Sequence, residues 1–266
     1  MNAGLRFISW VCLICAASIA VTACSGSRGD PLARGKQVVQ RMSDALAAAP
    51  AFTVTTHEVR EAVKSGGAPV HFTLDHHVTV RRPDRFYVQT TGDRRNDVWY
   101  DGAGLTIAGH QDKVFAQSRM PETIDRTIDA LQERFGFYVP GADIFYSNPA
   151  HALLTDTTTG GWVGRETIDG KACDHVAFQD RGVNWELWVA SDGSPLPVRS
   201  KAEFPYQKRI RKFEIAFSDW NLSPTIAADR FKPNVPADYE GIAMIQRAAV
   251  LANIPEPPAA ASDQKK

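Results

Sequence analysis

Three groups of side chains have the types and spacing to do chemistry. The first is rich in histidine: His57, then His71, Asp75, His76 and His77. If "SGGA" at 65–68 is a hairpin turn centred on Gly66-Gly67, His57 stands opposite His76, and His71, Asp75 and His77 share the other face. Imidazoles hold zinc when about four N, S or O donors converge. A regular sheet rarely converges that many, and no HxxH-type or CxxC spacing occurs, so these read as solvated or hydrogen-bonded strand histidines. The second group is Cys173, Asp174 and His175. A thiol nucleophile needs a base within hydrogen-bond reach, whereas residues i and i+2 on a strand stand about 7 Å apart. Cys173 is therefore expected to be a small buried residue. No GxSxG, HExxH or phosphate-loop pattern occurs. A pair of carboxylates distant in sequence stays open as an enzymatic alternative. No metal or cofactor is expected. The third group is a single residue, Cys24.

Cys24 ends the first hydrophobic stretch. The run from Phe7 to Val21 is apolar apart from Ser9 and Ser18, with Arg6 ahead of it. It falls short of the roughly 20 apolar residues of a membrane span and ends in small residues, as a secretory leader does. Val21-Thr22-Ala23-Cys24 resembles the lipobox of bacterial lipoproteins, which implies a diacylglyceryl group on the Cys24 thiol and cleavage before it. One acyl chain binds membranes marginally and two or more bind stably. Ser25, rather than Asp, follows the cysteine, which the resemblance reads as export to the outer membrane. Domain organisation is then 1–23 leader, 24–34 flexible tether, 35–245 a single folded domain, and 246–266 a proline-rich polar tail expected to be disordered.

Loss of residues 1–23 removes one Arg and no acid, leaving 29 Lys+Arg against 30 Asp+Glu. That near-neutral balance gives no long-range attraction for nucleic acid. After Cys24 the only cysteine is Cys173, so an exported chain would stand on its core without disulfides. The basic runs "RRPDR", Arg94-Arg95 and "KRIRK" (208–212) read as solvated sheet exterior, with a headgroup-facing role as the sharper alternative.

The elements that position these residues follow from periodicity. Residues 35–49 place Val38, Met42, Ala45, Leu46 and Ala49 at helical spacing, and Pro50 closes the helix. The period then drops to two: Val70, Phe72, Leu74, Val78 and Val80 share one strand face. Strands are expected at 52–63, 70–80, 85–91, 96–101, 104–109 and 113–118, and again at 162–168, 171–179, 183–190, 196–204 and 208–219. Between the two sets, "PETIDRTIDALQERF" is a helix with Pro121 in its first turn, followed by the aromatic stretch 137–146. About eleven strands at hairpin spacing predict a mainly antiparallel β fold with a few helices.

A helix, six strands, a helical insertion and five strands in that order resemble the LolA/LolB-like superfamily of periplasmic lipoprotein carriers. The phrases "RRPDRFYV" (81–88), "WYDGAGLTI" (99–107), "TIDGKACDHVAF" (167–178), "WELWV" (185–189), "DGSPLPVR" (192–199) and "FSDW" (217–220) resemble a family of predicted periplasmic proteins within it. The resemblance spans 35–245. It implies an open half-barrel with helices covering its concave side and, as the superfamily's theme, a lipid or acyl chain in an apolar cavity, with no chemistry on the ligand. Candidate wall residues by strand parity are Phe72, Leu74, Phe86, Val88, Leu105, Ile107, Ile124, Ile128, Phe145, Trp185 and Leu187, with 137–146 as a lid. Trp99, Trp162, Trp185, Trp188 and Trp220 lie in or beside strands, and the odd spacing of Trp185 and Trp188 places them on opposite faces. Expected partners are a hydrophobic ligand, the membrane through the anchor, and an envelope protein. The alternatives are a periplasmic interaction or sensor module, and an enzyme whose site shows no motif.

The leader reading makes a direct prediction. Cys24→Ala should abolish acylation and release the protein from membranes; unchanged membrane fractionation would refute the lipobox.

Overall fold

The computed structural model describes residues 30–63, 68–206 and 210–246. The expected leader, Cys24 and most of the expected tail lie outside them. One sheet carries the fold. The first meander runs β1 (Ala51–Val63), β2 (Pro69–Arg81), β3 (Arg85–Gly92), β4 (Asn96–Tyr100), β5 (Gly104–Gly109) and β6 (Val114–Arg119). The second runs β7 (Thr159–Ile168), β8 (Lys171–Gln179), β9 (Asn184–Ala190), β10 (Pro197–Glu203) and β11 (Ile210–Asn221). Antiparallel pairing of β1 with β11 joins them. A twelfth strand, β12 (Glu240–Ile242), adds in parallel to β6, giving the order β12-β6-β5-β4-β3-β2-β1-β11-β10-β9-β8-β7. β12 was not foreseen: three residues are too few to show a period.

The sheet does not close, so its concave face needs a cover. Phe52, Val54, Val78, Val80, Leu105 and Phe217 all point into it and are buried. Three helices cover it: α1 (Pro31–Ala47), α2 (Ile124–Phe135) and α3 (Pro149–Leu154), with a 3-10 turn at Ala142–Phe145. Helix α1 buries Val38, Val39, Met42 and Leu46. It starts four residues before the expected boundary and takes the end of the expected tether, because Asp30 caps it through Leu32 N at 3.0 Å and Pro31 sits at the first position. Helix α2 starts later than expected. Thr123 is its N-cap, accepting from Arg126 N, and Pro121 stays outside the helix. There the Pro121 carbonyl accepts from the hydroxyls of Tyr100 and Thr127, tying the helix entry to β4.

A second layer covers part of the convex face. Residues 222–239 cross the outer side of β3–β6, where Phe231 is 1% exposed and packs with Tyr87, Trp99 and Ala108. Behind this contact Tyr87 donates to Asp97 (2.9 Å), Asp97 meets His110 Nε2 (3.0 Å), and His110 Nδ1 meets the Tyr239 hydroxyl (2.6 Å). Burial, then the bond to Asp97, push the Tyr87 hydroxyl up to about 12.

Helix α1 meets β7 backbone to backbone. A Cβ on Gly35 would lie 2.7 Å from the Gly161 Cα and carbonyl carbon and from Trp162 N. Alanine is the better helix former by about 1 kcal/mol, yet Gly35→Ala should lower stability by about 1–3 kcal/mol through overpacking, measured by urea unfolding; an unchanged or raised midpoint would show that α1 has room to move.

Candidate functional site

Two ionisable networks and two pockets bear on function. The buried network lies on the concave side. Residues with the parity of Phe52 and Val54 point inward along β1, and these include Glu58, which is 2% exposed. Glu58 Oε1 accepts from Arg60 Nε at 2.5 Å and Oε2 from His76 Nε2 at 3.2 Å, while His76 Nδ1 meets Thr90 Oγ1 at 3.0 Å. Burial alone would raise the Glu58 carboxyl; the bonds from His76 and Arg60 outweigh it and hold the group below its ordinary range.

The second network is on the convex face. Both ring nitrogens of His175 meet carboxylate oxygens at 2.8 Å, from Glu166 and Glu186, and the ring stacks on Trp188 at 4.1 Å. Cys173 is fully buried and its thiol donates to the Lys171 carbonyl at 3.4 Å; burial pushes that thiol up, away from thiolate chemistry. Asp174 turns to the inner side, accepting from Arg41, Trp162 Nε1 and Arg165.

The expected hairpin register is wrong by one residue. β1 and β2 pair His57 with Asp75 and Thr56 with His76. A one-residue slip exchanges the faces of a strand, so His57 lies outside, bonded to Asp75 at 2.7 Å, and His76 lies inside on Glu58. Among the described residues no cluster of three or more His, Cys, Asp or Glu is arranged to hold a metal.

The larger pocket, ≈ 590 Å³, lies between the start of α1 and the β7–β10 end of the sheet. Arg34, Arg41, Arg165, Asp30 and Asp174 line it, with Arg34 stacked 3.3 Å from the centre of the Trp162 ring. The smaller, ≈ 380 Å³, is the apolar one and opens on the concave side. Tyr138, Gly141, Asp143 and Ile144 roof it, so the 137–146 segment does cover a cavity. Leu153 closes one side, and Trp185, Leu187, Ala202, Phe204 and Phe213 form the floor.

Of the eleven expected wall residues only Trp185 and Leu187 line this pocket. Leu105 and Ile124 are sealed in the main core, and Phe86, Val88, Ile107, Ile128 and Phe145 pack against it. Leu74 is buried outside that cluster, and Phe72 is half-buried with the Arg94 guanidinium 5.6 Å from its ring. Seven of the eleven therefore fill or flank the main core, while Leu74 and Phe72 lie outside it near the far end of β2. The tryptophans divide similarly. Trp188 faces away from Trp185 as parity required, and Trp99 packs under Phe231 on the convex face. Trp162 lies beneath α1, and Trp220 packs on Phe52 and Phe217.

Parity held signals that were not used. Ser200 and Ala202 share a strand face, and so do Phe213 and Ile215; Glu58 and Arg60 share the face of Phe52. Removing the Glu58 charge leaves Arg60 and His76 without their partner, so Glu58→Gln should cost about 3 kcal/mol near neutral pH. A carboxyl held below its ordinary range stabilises the fold above the unfolded-state value and loses that contribution as pH falls through the folded value. The gap between wild type and variant in urea unfolding should therefore narrow from about pH 7 to about pH 3; a gap independent of pH would mean that Glu58 acts through packing alone.

Comparison with known proteins gives a family and a set of weak structural likenesses. No curated protein sequence matches the chain. An uncharacterized conserved protein from Thermus thermophilus aligns with TM-score 0.47 at 9% identity, covering 78% of this chain and 98% of its own. A LolA superfamily protein from Nitrosomonas europaea aligns with TM-score 0.40 at 13% identity, covering 75% and 98%. The lipoprotein LppX of Mycobacterium tuberculosis aligns with TM-score 0.39 at 15% identity, covering 72% and 97%. The family model described as "Predicted periplasmic protein (DUF2092)" matches residues 35–245, the helix, both meanders and the outer crossing segment together, and the chain belongs to that family.

Proposed function

We propose that the protein is an envelope lipoprotein that binds, and in transfer would carry, a hydrophobic ligand in the pocket beneath Tyr138. One observation carries this reading: an apolar pocket of ≈ 380 Å³ floored by Trp185, Leu187, Phe204 and Phe213 on the concave side. That volume lies within the ~300–1,000 Å³ of small-molecule sites. Each methylene buried there would contribute about 0.8 kcal/mol, before the cost of immobilising the chain. Phe137 and Val139, on either side of Tyr138 in the chain, are 46% and 43% exposed, giving an apolar approach to the roof.

The reading is of binding without chemistry. Glu58 is bound on both oxygens by Arg60 and His76, and His175 is held between two glutamates on the opposite face. The lipobox-like run Val21-Thr22-Ala23-Cys24 supports the envelope location. Five residues separate Cys24 from Asp30, so the folded body would start within about 20 Å of the bilayer.

Native mass spectrometry of protein recovered from a periplasm, with organic extraction, tests the proposal. A bound hydrophobic molecule of defined mass is expected. Ala202→Trp, which fills the floor, should remove it while the far-ultraviolet circular dichroism stays that of the parent. A clean apo mass that takes up no added phospholipid or fatty acid would move the assignment to a protein-interaction module.

A further inference from the structure

Charge is distributed unevenly around the apolar pocket. Asp143 reaches it from the 3-10 turn, Asp156 from the end of α3, and Asp180 from the turn between β8 and β9. Two other lining residues send their charge elsewhere. The Glu186 carboxylate is bonded to His175 on the convex face at 2.8 Å. Lys201 Nζ lies 3.5 Å from Glu214 and 5.3 Å from the Trp188 ring, on that same convex side. Among the described lining residues, the charges left at the pocket are three carboxylates with no cation between them.

A second observation is independent of that cluster. Ser200 is 9% exposed, faces inward with Ala202 and lines the pocket, and its Oγ has no hydrogen-bond partner among the described residues. Buried polar groups are nearly always paired, so an unpaired one on a pocket wall calls for a partner that the described residues do not supply. The Asp143 carboxylate has no side-chain partner among the described residues, only a bond to its own backbone, and burial outweighs that bond and pushes the carboxyl up. A donor-rich cation in the pocket that both residues line would give the hydroxyl a partner and restore charge to the carboxyl. An anion would face three carboxylates in a poorly hydrated site.

We propose that the pocket takes an alkyl chain headed by a protonated amine, with the ammonium donating to Asp143 and Ser200 and the chain lying on Trp185 and Phe213, and that it discriminates against chains headed by carboxylate or phosphate. This rests on the reading of the pocket as a hydrophobic-ligand site and adds the head group to it. An ammonium has three donors to distribute, and the chain supplies apolar area that the rim charges do not oppose. Discrimination comes as much from repulsion of the wrong head as from attraction of the right one.

Decylamine, decanol and decanoate share a chain and differ in the head. Each is titrated below its micellar concentration into the full chain carrying Cys24→Ala, which avoids detergent, by calorimetry and by tryptophan fluorescence. Decylamine should bind at least about tenfold more tightly than decanoate, the scale of one partly desolvated charge contact, with decanol between them. Asp143→Asn should collapse the amine–acid gap while leaving decanol unchanged, and Ser200→Ala should weaken decylamine without reversing the order. Decylamine affinity should also rise with pH as Asp143 ionises. Asp156, Asp180 and the Tyr138 hydroxyl, itself pushed up by burial with Glu58 and Arg60 behind it, face the same space. Equal binding of all three, or preference for decanoate, overturns the head-group assignment and leaves the hydrophobic site standing. An amine preference that survives Asp143→Asn overturns the role of Asp143. Failure of all three to bind overturns the pocket reading itself.

Discussion

An open sheet with an apolar concave face cannot stand in water, and most of this architecture answers that constraint. A closed barrel would bury the face against itself; twelve strands ending at β7 and β12 do not close. Cover therefore comes from the segments at the start of each meander. Helix α1 is laid directly on β7 because Gly35 and Gly161 leave no side chains between the two backbones. Helix α2 is fixed at its entry by the Pro121 carbonyl, which receives hydroxyls from β4 and from the helix itself. Where the two coverings meet, the shorter 3-10 turn and α3 span the β9–β11 end, and short elements cover less tightly than long ones. The apolar pocket is the remainder of that imperfect cover.

The convex face is treated differently in its two halves. Over β3–β6 it is sealed by the 222–239 crossing, whose Phe231 fills a small second core and whose Tyr239 is tied through His110 and Asp97 to Tyr87. Arg230 adds its guanidinium 4.2 Å above the Tyr87 ring. Over β8–β10 no segment crosses among the described residues; cross-strand partners do the work instead, with His175 stacked on Trp188 and Lys201 approaching that ring from the next strand. The first half is thus buried on both sides, and the pocket lies in the half that is covered on one.

Alternation made the strands legible. The eleven expected strands are observed with boundaries moved by a few residues, because Val-, Phe- and Trp-bearing positions repeat at two across short turns. Register was less legible. Centring the first hairpin on its two glycines put His57 opposite His76, although pairing Val54 with Val78, as observed, matches the buried faces of both strands. The apolar pattern, not the turn glycines, decides such a register. The crossing segment carried a misleading signature: Phe231, Val235 and Tyr239 recur every four residues, as on a helix, but Pro233 and Pro236 between them forbid one, and Ile226 falls out of step. The pocket residues escaped for a related reason. Parity tells which way a side chain points, but whether it meets a helix or a gap depends on where the covering helices end.

The concave side holds two sets of ionisable groups, and their pairing separates structure from site. Glu58 is 2% exposed, yet each of its oxygens has a donor and His76 continues the chain to Thr90. A buried network satisfied in this way rigidifies a core and leaves nothing over for a ligand. Ser200 Oγ has no such partner among the described residues, and Asp143, on the wall of the same pocket, has only a backbone bond to set against its burial. Had they been needed only to fill space, alanine or valine would do so without the desolvation penalty of a buried hydroxyl and carboxylate. On the proposed reading, selection between hydrophobic ligands falls to Asp143 and Ser200, while Glu58 holds the strands that the pocket is built upon.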